Sequence, residues 1–336
     1  MKIGLSYDLK EAAAVSSTHQ TEDALEEYDS LETVEALEAA IQSQGHTTVR
    51  LGGGRGFLTI VLQEKVDLVF NIAEGLGNYR SREAQIPSVL EMLDIPYSGS
   101  DPATLALSLD KPLTNKIIAL GGVSVPQCRV IENNKRLPEI DWAEFPFPVF
   151  VKPVHEGSSK GIRLNSLVEK SSRINEVVRK LLDLYQQPVM VEEFIAGDEV
   201  TVGMVGNSPP RMVGIMRIMP KKKEANFVYS LEVKRNYEQL VDYECPAQLS
   251  GNTLQLIEDA AQKIYHVLGC RDFSRLDFRI DNKGTPYFLE INPLPGLNPR
   301  TSDLGIMTRK MGWNYQSLVV AVLNAALERY SLCTHA

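Results

Sequence analysis

Asp277, Glu290 and Asn292 are the residues whose types and spacing point most directly to chemistry. They sit in two strand-like stretches, residues 274–280 and 285–292, separated by Asp281-Asn282-Lys283-Gly284. That tetrad reads as a turn, with glycine supplying a positive φ. With Asp281 facing Pro286, the register sets Asp277 opposite Glu290. Side chains alternate faces along a strand, so Glu290 and Asn292 share one face. Carboxylates placed opposite one another repel and destabilise a hairpin. A hard dication removes that penalty, and Mg²⁺ prefers carboxylate and amide oxygens together with phosphate. The other reading is a solvated hairpin face with no ion. The rigid turn Pro293-Leu294-Pro295-Gly296, directly after Asn292, favours the first.

Two further stretches suit phosphate and nucleotide chemistry. In residues 151–162, an apolar strand ends in Lys152, and a loop with two glycines and two serines follows (Glu156-Gly157-Ser158-Ser159-Lys160-Gly161). Small residues let backbone N–H groups approach phosphate oxygens, and lysine adds a point charge. The loop leads into a strand rather than a helix, so it is not a Walker A loop; a glycine-rich hairpin turn is the plain alternative. His155 has no matching ligand nearby and reads as structural. In residues 189–201, an extended segment offers free backbone groups that can read the edge of a base, and an acid a few residues on can hold ribose hydroxyls. An ordinary edge strand and turn fits that stretch equally well. Gly52-Gly53-Gly54-Arg55-Gly56 lacks the GxGxxG spacing and reads as a strand-to-helix loop.

The elements that position these residues follow from periodicity. Residues 2–7, 47–51 and 66–71 read as strands, and Ile95-Pro96-Tyr97 as a further short one. Residues 30–43 carry Leu31, Val34, Leu37 and Ile41 at helical intervals. Residues 83–93 form the next helix, and 8–28 a long loop or short helix. This βαβ order implies a doubly wound parallel sheet with ligands at the carboxyl ends of its strands. Beyond it, helices are expected over 103–120, 167–184, 252–268 and 315–331. Strands are expected over 124–131, 149–152, 188–194, 199–206 and 210–220. The division is 1–104, 105–187 and 188–336, within the usual range of domain sizes.

Net charge −8 and a pI near 5.3 argue against a nucleic-acid surface; Lys221-Lys222-Lys223 reads as a solvated loop. The four cysteines (Cys128, Cys245, Cys270, Cys333) form no CxxC or Cys/His cluster, as expected of reduced thiols in a cytoplasmic enzyme. Neither a signal-type apolar segment at the N-terminus nor a run of about 18 apolar residues is present, so no membrane association is expected.

Taken in order, these stretches resemble the ATP-grasp superfamily, and within it the D-alanine–D-alanine ligases. The pieces are Tyr97-Ser98-Gly99-Ser100, Asp110-Lys111, Pro148–Pro153, Glu156-Gly157-Ser158-Ser159, Glu192-Glu193-Phe194-Ile195, Arg275-Leu276-Asp277 and Glu290–Gly296. The resemblance spans residues 67–296. It implies an N-terminal parallel-sheet domain followed by a two-subdomain ATP-grasp fold, with ATP held between the subdomains. It also implies roles. Lys111, Lys152 and the Glu156–Ser159 loop, Ser158 and Ser159 included, would contact the phosphates. Glu192, Glu193 and Ile195 would line the adenine, and Glu199 would take the ribose. Asp277, Glu290 and Asn292 would hold two Mg²⁺, which Mn²⁺ can replace. Arg275 and the Gly296 N–H would stabilise a tetrahedral intermediate, with Ser158 assisting. A homodimer is implied as well, and the stretch from Lys221 to Lys234 is a candidate lid.

The departures lie on the amino-acid side. The family's glycine pair, serine and glutamate after the first strand are replaced by Tyr7-Asp8-Leu9-Lys10-Glu11, leaving Glu11 as the substitute acid. The family's His-Gly is Glu74-Gly75, its lid Lys-Tyr pair is Lys234-Arg235, and its Ser-Leu becomes Arg300-Thr301-Ser302-Asp303-Leu304. Arg80, Arg82 and Arg300 would suit a substrate more acidic than alanine; for Arg80 and Arg82, surface ion pairing with Glu83 and its neighbours fits equally well. The expected activity is ADP-forming ligation of a carboxylate to an amine on small amino acids. D-Alanyl-D-alanine formation is the nearest named activity, and a different amino acid or peptide is the alternative. A non-catalytic nucleotide-binding scaffold and a phosphotransferase are the other classes that fit.

Overall fold

The computed structural model describes residues 1–11, 21–222 and 226–332. The chain opens with β1 (Lys2–Ser6), α1 (Leu31–Gln42), β2 (Thr47–Arg50), α2 (Gly54–Gln63) and β3 (Leu68–Asn71). The strands form a parallel sheet in the order β2-β1-β3, which reverses direction beside β1 as a doubly wound sheet does. Both faces are covered. Leu68 and Phe70 pack with Val34, Leu37 and Ile41 of α1, while Val69 packs with Phe57, Val61 and Leu90 on the other side. Ser30 caps α1 by accepting the Thr33 N–H at 3.3 Å. Leu31 is left outside the buried stripe, which runs Thr33, Val34, Leu37, Ala40, Ile41. Tyr97 pairs with Val69 through a single bridge rather than a full strand. The helix expected beyond the loop at 52–56 starts inside it, at Gly54; Gly54 and Gly56 depress helix propensity, and burial of Phe57 and Val61, four residues apart, outweighs them.

After α3 (Gln85–Met92), the helix expected over 103–120 is two, α4 (Pro102–Leu109) and α5 (Lys111–Leu120). Pro112 has no N–H to donate, and its ring excludes the carbonyl four residues earlier, so the first helix stops before it. Asp110 starts the second by accepting the Leu113 N–H at 3.2 Å, which puts Lys111 in the first helical turn.

A second sheet joins β4 (Cys128–Ile131), β5 (Val149–Pro153), β6 (Leu167–Val168) and, after α6 (Ser171–Tyr185), β7 (Val189–Glu193), in antiparallel order β4-β7-β5-β6. Leu167-Val168 was expected to open the helix. It pairs with Phe150 and Val149 instead, because Val168 is buried in the sheet core. The loop after Lys152 thus leads into a strand, as expected, but only after a turn of 3₁₀ helix at Leu164–Ser166.

The third sheet is assembled from β8 (Asp198–Val205), β9 (Arg211–Pro220), α7 (Leu231–Arg235), α8 (Tyr237–Leu240), β10 (Val241–Glu244), α9 (Gly251–Val267), β11 (Phe273–Ile280) and β12 (Pro286–Asn292). Its five strands run β10-β9-β8-β11-β12, all antiparallel. One face buries α9 against Val200, Val202, Leu276 and Phe278. The other packs on α10 (Asp303–Lys310), α11 (Tyr315–Arg329) and the N-terminal sheet cluster. Gly203 permits that close approach: a Cβ there would stand 2.6 Å from Leu304 Cδ2. The α10 segment showed no amphipathic stripe in sequence because it is buried nearly throughout.

The β11–β12 hairpin pairs Asp277 with Glu290 and Arg275 with Asn292, as expected, but by a different route. Its turn sets Ile280, not Asp281, opposite Pro286, one residue out from the expected register. A bulge between Asp277 and Phe278, which leaves Leu289 without a partner, restores the pairing farther along. Gly284 takes φ +84 at the turn as expected, and Asp281 holds it by accepting the Lys283 and Thr285 N–H groups.

Candidate active site

The facing surfaces of the second and third sheets enclose a cleft. Phe150, Lys152, Glu192 and Ile195 line one wall, and Glu199, Thr201, Arg275, Asp277 and Glu290 the other; Glu193, Ser159 and Lys234 also border it. Lys152, on β5, lies 2.7 Å from Glu192 on β7, both side chains about 5% exposed. Burial alone would pull the lysine pKa down, but Glu192 and Glu290 raise it, so the ammonium stays charged. One Glu192 carboxylate oxygen has no hydrogen-bond partner. Glu199 takes an ion pair from Arg279 at 3.2 Å. Arg279 also donates to the carbonyls of Ile195 (2.6 Å), Gly197 (2.9 Å) and Phe227 (3.0 Å), fixing the turn between β7 and β8. Its signal in sequence was the alternation Arg275, Asp277, Arg279, which places three charges on one face of β11.

Lys111 completes the charged end of the cleft. Its ammonium donates to the Glu156 carbonyl and lies 3.6 Å from Glu290. Burial would raise the Glu290 pKa, but Lys111, Lys152 and Arg275 outweigh it and bring it to about 2. Asp277 accepts from Thr201 Oγ1 at 2.6 Å and from Arg275, and Arg275 also pairs with Asp303 at 3.2 Å. Asn292 Oδ1 accepts the Leu294 N–H at 3.1 Å. Among the described residues no group of three or more His, Cys, Asp or Glu side chains is arranged to hold a metal ion. The donors here are two carboxylates and one amide, an all-oxygen set that fits a hard dication and offers nothing to a soft one.

Beside this end lies a second pocket, bordered by Ser158, Glu74, Tyr229, Lys234, Arg275, Asn292, Gly296 and Ser302. Gly296 faces open space, with no heavy atom within 4 Å of where a Cβ would stand. The two pockets share Arg275, Lys234, Tyr229 and Asp303, so a group transferred between them would pass these residues.

Several residues singled out in sequence are engaged elsewhere. The Glu156 side chain turns away from the inter-sheet cleft and pairs with Lys160 and Gln187; only its carbonyl serves Lys111. Glu11 is exposed and borders neither pocket. Arg235 borders the second pocket but is held by Glu22 and Glu26. Arg300 is exposed and pairs with Glu32 at 2.9 Å. Ser302 caps α10 and donates to the Asn298 carbonyl. Arg80 pairs with Asp110, and Arg82 with Glu27 and the His155 carbonyl. The cations that suggested an acidic substrate are therefore already neutralised. His155 is buried, and burial lowers its pKa to about 4. Lys221 pairs loosely with Asp242 at 3.9 Å, while Lys223 and Cys333 lie outside the described residues. The remaining cysteines are free. The stretch expected to form a lid contains α7, with Lys234 on it. Not legible in sequence were Glu27 and Asp23, which accept the Gly157 and Gly161 N–H groups, and Tyr28, which borders the second pocket with Ser158.

Asp29, on the rim of the second pocket, makes a pH prediction. Burial pushes its pKa up to about 7, with Asp8 adding to the rise and Lys10 opposing it. Below about pH 4 it is protonated in both folded and unfolded chains and contributes nothing. As pH rises toward 7, the unfolded chain loses this proton while the folded chain keeps it, so stability falls. The expected result is that Asp29→Asn gains about 4 kcal/mol at pH 8 and little at pH 4, read by urea unfolding at both. An equal gain at the two values would remove the ionisation from the explanation.

A family profile described as "D-ala D-ala ligase C-terminus" matches residues 123–324. The D-alanine–D-alanine ligase of Aquifex aeolicus is 31% identical over 300 residues, covering 88% of this chain and 94% of that protein. The crystal structure of the VanG D-Ala:D-Ser ligase from Enterococcus faecalis superposes with a TM-score of 0.73 at 22% identity, over 97% of this chain and 99% of that one. That of the D-alanine–D-alanine ligase from Bacillus anthracis complexed with ATP gives 0.75 at 19% identity, over 99% of both chains. The superpositions show a shared fold, and the sequence match runs through both antiparallel sheets and their cleft: the chain belongs to the D-alanine–D-alanine ligase family.

Proposed function

We propose that this chain is a Mg²⁺- and ATP-dependent carboxylate–amine ligase that forms an amide through an acylphosphate and releases ADP and phosphate. D-Alanyl-D-alanine is the nearest named product. The observation that carries this reading is the convergence of Lys111 and Lys152 on Glu290 at the charged end of the inter-sheet cleft. The bound-ATP relative of the same fold supports nucleotide in that cleft.

A carboxylate is a poor electrophile until it carries a leaving group, and phosphorylation supplies one. In this reading Lys111 and Lys152 neutralise charge on the transferring phosphoryl group. The unpartnered Glu192 oxygen accepts from the exocyclic amine of adenine, with Glu193 and Ile195 beside it, and Glu199 takes the ribose. Asp277, Glu290 and Asn292 would hold Mg²⁺, two ions in our proposal, which when bound would offset phosphate charge. Ser158, Ser159 and the main chain around Glu156 close over the phosphates. When the amine attacks, Arg275 and the Gly296 N–H bind the oxyanion, a contribution of about 3 kcal/mol per donor. Lys234, facing both pockets, is positioned to follow the phosphoryl group. Glu74, whose side chain has no hydrogen-bond or ion-pair partner among the described residues, is available to a substrate ammonium. Glu11, Arg235, Arg300 and Ser302 receive no role.

We further propose domain boundaries at 104/105 and 187/188, a homodimer, and a cytoplasmic setting. No helix among the described residues is long and apolar enough to cross a membrane. The test is ADP release with Mg²⁺-ATP over a panel of D- and L-amino acids and dipeptides, with mass detection of products. An amide product with ADP supports the ligase. A phosphorylated product that accumulates makes it a phosphotransferase, and binding without turnover anywhere makes it a scaffold.

A further inference from the structure

The Ser158–Ser159 turn is strained and held from outside. Ser158 and Ser159 take φ +47 and +60, two successive left-handed residues that are not glycine. The Lys160 N–H closes the turn onto the Gly157 carbonyl at 2.9 Å. Among the described residues the Ser158 and Ser159 N–H groups donate to nothing, so the turn presents two free donors. Two acids from residues 21–29 grip it on either side. Glu27 accepts the Gly157 N–H at 2.6 Å, just before the turn. Asp23 accepts the Gly161 N–H at 2.9 Å, just after it. Glu27 is also bound by Lys160 (2.8 Å) and Arg82 (2.7 Å), and Asp23 by Tyr185 (2.6 Å). Both acids are buried, with side chains at 3% and 0% exposure. The same stretch reaches α7 through Glu22 and Glu26 to Arg235, and the Leu231 N–H of α7 donates to the Ile162 carbonyl at 3.1 Å.

We propose that Glu27 and Asp23 are positioning residues that hold the Ser158–Ser159 turn with its free N–H groups presented to the nucleotide phosphates. Loop closure over the nucleotide is then tied to a segment that borders the second pocket through Glu26, Glu27 and Asp29. This rests on the proposed nucleotide cleft. An anion lying on those N–H groups repays their strain, and the acids keep the strained form populated before it arrives.

The test is amide hydrogen exchange of the full chain without substrate, together with KM for ATP and kcat. In Glu27→Ala, exchange at the bonded amides of Gly157, Lys160 and Gly161 is expected to quicken about tenfold while the rest of the chain is unchanged, and KM for ATP to rise about tenfold with a smaller change for the amino acid. Glu27→Gln keeps an acceptor for Gly157 and is expected to recover most of both. Tyr185→Phe, a mild change that removes one donor to Asp23, is expected to quicken exchange at Gly161 about threefold. Unchanged exchange at the loop in Glu27→Ala and Tyr185→Phe overturns the proposal. So does acceleration spread over the whole chain, which marks a merely structural role. Because exchange is read without substrate, a chain lacking ligase activity but showing the loop response overturns the functional reading and leaves the grip standing.

Discussion

Glu290→Gln should lower turnover about a thousandfold while leaving the protein folded. Glu290 is the carboxylate on which three cations converge. Lys111 lies 3.6 Å away, and Lys152 and Arg275 add to the field that brings its pKa to about 2. Such a group stays ionised throughout the working range and offers two oxygens that share one full negative charge. Glutamine keeps the shape and loses that charge. Stability should change little, because the side chain is 28% exposed and water reaches what remains. The measurement is kcat at saturating ATP and Mg²⁺, with thermal unfolding as the control. A variant that folds and retains more than a tenth of its turnover would remove Glu290 from the metal-binding set.

Lys152→Met should fail in two separable ways. It leaves Glu192 buried without its cation, and breaking a buried pair typically costs about 3–5 kcal/mol. It also removes a charge from the phosphoryl-transfer end of the cleft. The double variant Lys152→Met, Glu192→Met separates these effects. Replacing a buried ion pair by apolar residues of similar volume is often neutral, so the double variant should recover most of the lost stability. It should not recover turnover, because the lost phosphate charge is not replaced. Urea unfolding and ADP release on the three proteins check this. Recovery of both stability and turnover would mean that the pair is architectural only.

The hairpin carrying Asp277 and Glu290 was legible in sequence because its information is local: a turn tetrad, a period of two and an acid at each matched position. Even so, the bulge at Leu289 could not be read, and the correct pairing emerged from a turn register one residue out. Lys152 was legible as the end of an apolar strand, whereas Lys111 was legible only through the resemblance of Asp110-Lys111 to the family's motif. The amino-acid side was not. Glu27 and Asp23 find their partners at Gly157, Gly161 and Tyr185, more than 120 residues away. Their own segment has no periodic pattern to place it. Glu11 was chosen for being near β1 in sequence, whereas its neighbour Lys10 is the residue of that stretch that borders the second pocket. Arg80, Arg82 and Arg300 looked available because an ion pair with a distant acid leaves no mark on local sequence. The break at Asp110 was readable in principle from Pro112, yet an apolar period running through 103–120 masked it.

In the proposed reaction a carboxylate oxygen becomes the bridge to phosphorus before the amide forms. The most direct measurement uses an accepted amino acid labelled with ¹⁸O in its carboxylate, with Mg²⁺-ATP and the unlabelled amine partner, and mass analysis of the released phosphate. Attack of the carboxylate on the γ-phosphorus and later expulsion of phosphate by the amine leave one ¹⁸O in each phosphate formed with amide. That is the result the account predicts. ADP and phosphate formed with no ¹⁸O in the phosphate would mean that water, not the substrate carboxylate, had taken the phosphoryl group, and would contradict it.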